Sequence, residues 1–124
     1  MNDKRPVNLD IGSISLPVTA WVSLMHRASG VFLFAGIALL IYMLDESLSS
    51  QESFVALKEN LASPGAKFAV WFVMAGMIYH TVAGVKHLIM DFGFGETMEG
   101  GVLGARLTIA SSIVLSIFAG VWIW

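Results

Sequence analysis

Three histidines and one arginine stand at or inside otherwise apolar runs, and their spacing is where chemistry would begin. His80, His87 and Asp91 are separated by seven and four positions, which puts all three on one helical face. Gly76 and Gly84 lie four residues to either side of His80 on that same face. With a rise of 1.5 Å per residue, His80 and His87 sit about 10 Å apart along the axis. A neutral imidazole is a good iron ligand, and flanking glycines would clear the flat space that a porphyrin needs. The same stripe also suits a proton relay or a hydrogen-bonded structural histidine. Small residues favour helix packing of any kind. His87, near the end of the run, suits a structural or lipid-facing role as readily as ligation.

A second group is Ser23, His26 and Arg27. Ser23 shares a helical face with both of the others, three and four residues on. Arg27 has no acidic residue within reach along its own helix. Either Arg27 snorkels to the interface and fixes orientation, or it joins the Ser23 hydroxyl in facing a polar ligand at the membrane edge. Quinone carbonyls and haem propionates both take such donors. Asp91-Phe92-Gly93 spells the kinase metal-binding tripeptide, but no Gly-rich loop or catalytic loop accompanies it. Phosphate-loop, dinucleotide-binding and zinc signatures are absent.

The elements that must hold these residues follow from composition. Of 124 residues, 56% are hydrophobic and only 13% charged, with a mean hydropathy of +0.77. An ordinary soluble domain is about 25% charged, and a small one needs more polar surface, not less. A soluble monomer is therefore excluded. Without cysteine there is no disulfide scaffold or thiolate metal site. A net charge of -2 and a pI of about 5.8 argue against nucleic acid as a partner.

Charge-free runs occupy residues 28–44, 68–85 and 107–124. A span needs about 20 mostly apolar residues, so an all-α fold with three transmembrane helices is expected. Residues 1–20 read as an N-terminal cytoplasmic segment and 21–124 as the membrane-anchor domain. Lys4 and Arg5 are followed by Pro6, Asn8 and Asp10 rather than by an apolar core, so no signal peptide is expected. Residues 45–65 read as a polar loop with room for a short helix, closed by the turn signal Ser63-Pro64-Gly65. Gly93, Gly95, Gly100, Gly101 and Gly104 argue against regular structure after Phe92.

Orientation follows from lysine and arginine. Lys4, Arg5, Arg27, Lys86 and Arg106 fall on one side, Lys58 and Lys67 on the other. Five against two puts the N-terminus in the cytoplasm and the C-terminus outside. Trp21 suits the inner interface, and Trp122 and Trp124 the outer one.

Together these segments resemble the cytochrome b membrane-anchor subunit of bacterial succinate dehydrogenase. The resemblance rests on Arg5-Pro6-Val7-Asn8-Leu9-Asp10, Ser23-Leu24-Met25-His26-Arg27-Ala28-Ser29-Gly30, and the run from Tyr79-His80 through Gly84-Val85-Lys86-His87 to Met90-Asp91-Phe92-Gly93. It implies an inner-membrane anchor of succinate:quinone oxidoreductase that shares one haem b with a second anchor subunit. A flavoprotein and an iron–sulfur subunit are the implied soluble partners, with ubiquinone as electron acceptor and membrane lipid around the helices. By matching motif, His80 resembles the axial haem ligand. Ser23 and Arg27 resemble quinone-site donors, and His26, Arg27 and His87 resemble groups near the haem and its propionates. The isolated chain is not expected to be catalytic. The alternatives are a fumarate reductase anchor, or a small proton or metal transport or assembly protein.

Counted inward from the helix ends, His26 lies at the depth of His87, about 10 Å too shallow to face His80 across an iron. The regions at the depth of His80 on the first and third spans, near Leu33 and Ile113, offer no histidine or methionine. The opposite haem ligand is therefore expected from outside this chain.

Overall fold

The computed structural model describes residues 10–124. The motif running from Arg5 to Leu9, and the charges of Lys4 and Arg5, lie outside the described residues. Four α-helices follow a short 3₁₀ turn at Ile11–Ser13: α1 Val18–Ser49, α2 Gln51–Leu61, α3 Pro64–Asp91 and α4 Met98–Ile123. There is no strand among the described residues. Three of the helices, α1, α3 and α4, are long and apolar enough to cross a membrane. At 1.5 Å per residue they measure about 48, 42 and 39 Å, each longer than a hydrocarbon core of about 30 Å.

Each helix outruns its charge-free run. α1 starts at Val18 behind Pro17, five residues ahead of Ser23, and carries Asp45 and Glu46 in its last turns. Ser50 breaks the helix in extended backbone and restarts it as α2 with a reciprocal Ser50–Ser53 capping box. The expected turn at Ser63-Pro64-Gly65 is instead the start of α3. The Ser63 hydroxyl accepts from the Ala66 amide, and Pro64 takes the first helical position, where its missing N–H costs nothing.

The glycine cluster also departs from expectation. Only Gly93 and Gly95 adopt positive φ, +86° and +74°, and they make the turn between α3 and α4. Gly100, Gly101 and Gly104 are helical, in the first two turns of α4 behind the Thr97 cap. Their smallness is used for close approach rather than for disorder. A Cβ on Gly100 would lie 2.8 Å from the Gly95 Cα.

α3 is the central element, packed against α1 on one side and α4 on the other, with a smaller α1–α4 contact. The core is thin. Val22, Leu33, Val73, Ala83 and Ala105 are its buried apolar residues, with Thr108 and Ser112 buried beside them. Large side chains such as Phe34, at 88% exposure, and Trp122, at 83%, point away from the bundle. Helices apolar on every face suit lipid or a partner's helices, not water.

Lipid tails are as apolar as leucine, so close packing and interhelical hydrogen bonds must hold the helices together. Tyr79 donates its hydroxyl to the Val22 carbonyl at 2.9 Å, tying α3 to α1. Trp71 donates Nε1–H to the Ser116 carbonyl at 2.8 Å, tying α3 to α4. Phe32 fills the notch at Gly76, where a Cβ would lie 2.7 Å from its Cε1. Gly76→Ala is accordingly expected to lower stability by about 1–3 kcal/mol through overpacking. Thermal denaturation of the purified protein checks this, and a second substitution, Phe32→Ala, should recover part of the loss.

Candidate functional site

α1 and α3 bring the three imidazoles into one column. The His26 ring stacks on that of His80, with centroids 4.3 Å apart and planes 22° from parallel. On its other side it meets His87 at 5.1 Å and 42°. All three are partly buried. His26 thus sits between His80 and His87. This corrects the depth expected for His26, which was level with His87. Depth was counted from the apolar boundaries, whereas the true register is set by α1–α3 packing, with Tyr79 pinned to Val22.

The His80 ring is held on one edge. Its Nδ1 lies 2.9 Å from the Ser29 hydroxyl and 3.2 Å from the His26 carbonyl. The Ser29 hydroxyl itself donates to the His26 carbonyl at 2.7 Å. Gly30 lets the ring lie against α1, since a Cβ there would meet His80 Cε1 at 3.2 Å. The His26 Nε2 is buried and has no hydrogen-bond partner among the described residues. A buried polar atom left so costs free energy, which marks a place for a polar partner.

The glycines flanking His80 work differently from the expected porphyrin clearance. The space beside Gly76 is taken by Phe32, and a Cβ on Gly84 would lie 3.5 Å from His26 Nε2. Both notches receive side chains of α1, so they serve helix packing and the seating of His26. Asp91, the last residue of α3, is exposed.

Ser23 and Arg27 line one cleft of about 320 Å³. Its other walls are Ile14, Leu16, Ala20 and Leu24. The cleft is therefore apolar with a hydroxyl and a guanidinium at its edge. Arg27 is exposed, and Ser23 partly buried. Because His26 adjoins Arg27 in sequence, cleft and imidazole column lie on neighbouring faces of one helical turn. Ile14 and Leu16 were missed in the sequence because they precede the helix. Their alternation with Ser13 and Ser15 was the available signal.

Comparison with known proteins gives a consistent result. A family model described as the succinate dehydrogenase/fumarate reductase transmembrane subunit matches residues 1–119. The chain is 41% identical to a succinate dehydrogenase cytochrome b556 subunit of Coxiella burnetii, with both chains covered in full. It is 30% identical to a cytochrome b556 subunit of Paracoccus denitrificans, over 91% of this chain and 87% of that one. It is 32% identical to the mitochondrial succinate dehydrogenase cytochrome b560 subunit of Homo sapiens, over 94% of this chain and 72% of the relative.

Proposed function

The chain belongs to the succinate dehydrogenase/fumarate reductase transmembrane-subunit family, and from that premise we propose that it is a haem- and quinone-binding anchor of succinate:quinone oxidoreductase. In this reading it shares one haem b with a second anchor subunit. It also joins an iron–sulfur subunit and a flavoprotein, which carry the succinate chemistry. The observation that carries the reading is the pairing on α1 of the Ser23–Arg27 cleft with the imidazole column beside it.

The residues fit a haem. His80 is held through Nδ1, which leaves its other nitrogen for iron, and the buried, unpartnered His26 Nε2 is available to a polar group such as a propionate. When bound, the haem supplies one-electron storage within the membrane. His80 would bind the iron, and His26, Arg27 and His87 would hold the haem edge and its propionates. The His26 and His80 rings stack side by side, so they would not hold one iron between them, and a second ligand would come from the second anchor subunit.

Ubiquinone reduction places negative charge on a carbonyl oxygen before protons neutralise it. Ser23 donates a hydrogen bond to that oxygen. Arg27 stabilises that charge through its planar guanidinium. Ile14, Leu16, Ala20 and Leu24 shed water from the ring. Ser23→Ala is expected to reduce quinone reduction by roughly 2- to 10-fold, matching loss of a hydrogen bond worth about 0.5–1.5 kcal/mol. Steady-state assay with a short-chain quinone checks this. Succinate oxidation by a soluble dye should stay unchanged, and an equal loss of both would reject the role.

The lysine and arginine count supports an N-terminus in the cytoplasm and a C-terminus in the periplasm of the bacterial inner membrane. Reporter fusions in the loop at residues 92–97 and after Trp124 should report opposite sides. The same side from both would reject the three-span arrangement.

A further inference from the structure

The hydrogen bonds around His80 carry one step more. Three contacts meet there: Ser29 Oγ to the His26 carbonyl at 2.7 Å, His80 Nδ1 to Ser29 Oγ at 2.9 Å, and His80 Nδ1 to the same carbonyl at 3.2 Å. A carbonyl only accepts, and a serine hydroxyl has one proton to give. If Nδ1 is protonated, every contact has a donor. Ser29 donates to the carbonyl, and Nδ1–H donates to Ser29 Oγ with the carbonyl as a second acceptor. If Nδ1 is bare, the single serine proton must serve both contacts of the Ser29 hydroxyl, and the third contact has no donor, with the Nδ1 lone pair facing the carbonyl lone pairs. The first arrangement is the stable one. In a neutral imidazole it leaves the lone pair on Nε2.

We infer that Ser29 is a positioning residue for the haem ligand: by accepting the Nδ1 proton of His80 it fixes the tautomer whose Nε2 binds iron. Gly30 belongs to the same device, since its missing Cβ lets the ring approach α1 closely enough for Nδ1 to reach these acceptors. An acceptor on the far N–H of a metal-bound imidazole orients the ring and makes it a stronger donor to the metal. Stronger donation favours the ferric state. Ser29 thereby sets both the hold on haem and its potential, without touching it. This inference rests on His80 being the ligand, as proposed above.

The test uses the intact complex purified from membranes, with Ser29→Ala, Ser29→Thr and His80→Ala. Ser29→Ala should weaken haem retention by about 10-fold or more. It should also raise the haem midpoint potential, a tenfold change in the ferric-to-ferrous balance being about 59 mV for one electron. Ser29→Thr keeps the hydroxyl and should restore both. A Ser29→Ala complex with unaltered haem content and potential overturns the inference. Nitrogen-15 NMR of the reduced, diamagnetic wild-type complex needs no substitution and decides the matter even if Ser29→Ala fails to assemble. A protonated His80 Nδ1 supports the inference, and an unprotonated one overturns it. Low-spin haem persisting in His80→Ala would instead overturn the ligand assignment itself, which separates the two failures.

Discussion

Arg27→Ala in the intact complex is expected to cut ubiquinone reduction by about 100- to 1,000-fold, the usual cost of removing a donor aimed at developing negative charge. Succinate oxidation by a soluble dye should be unaffected, because electrons leave to the dye before reaching the membrane pocket. The size of the effect follows from position. Arg27 supplies the positive charge lining the Ser23 cleft, and among the described residues the other walls, Ser23 aside, are apolar and offer no cation to replace it. Arg27→Lys should recover only part of the rate, since an ammonium is a point charge without the planar fork. Parallel loss of both activities would mean failed assembly and would reject the quinone-site role.

His80→Ala should abolish the low-spin haem spectrum while the anchor helices stay associated. With His80 as the proposed ligand, haem content should fall by at least the roughly 10- to 100-fold that a supporting residue commands. His26→Ala should be far milder, leaving a low-spin centre in place, because its ring stacks beside His80 and is not the proposed ligand. Optical spectra and subunit analysis of the same preparations check both. A low-spin haem retained in His80→Ala, or lost in His26→Ala with His80 intact, would reverse the assignment.

Much of the fold was legible in the sequence because a bilayer imposes a coarse rule. Charge-free runs near residues 28–44, 68–85 and 107–124 mark where three helices can cross, and α1, α3 and α4 contain them except for Trp124, which caps α4. Helix ends were not legible, since charge marks the edge of hydrocarbon, not the end of a helix. Asp45 and Glu46 are as helical as Leu44. The glycines of α4 misled for a related reason. Glycine raises the cost of a helix in isolation, but between packed helices its small size is an advantage.

In the site, the identities of Ser23, His26, Arg27, His80 and His87 stood out as polar residues in apolar surroundings. Their mutual distances did not, because a single chain read in one dimension carries no register between α1 and α3. Placing His26 between two other histidines required the Tyr79–Val22 tie. Ser29 was overlooked for the same reason. A mid-helix serine usually bonds to its own helix, as this one does, and only the packed structure brings a second partner.

The two ties on α3 differ in when they become available during synthesis. The contacts of Tyr79 with Val22 and of His80 with Ser29 use only residues already made once α3 has emerged. The contact of Trp71 with Ser116 needs most of α4. The helical hairpin of α1 and α3 can therefore set its register co-translationally, with the His80 ring already turned to its final edge. α4 then docks onto a surface that is in place. A chain truncated after Gly95 should still pair α1 with α3. A nascent protein that stalls within α4 would have α1 and α3 already paired but the α4-facing flank of α3 unclosed.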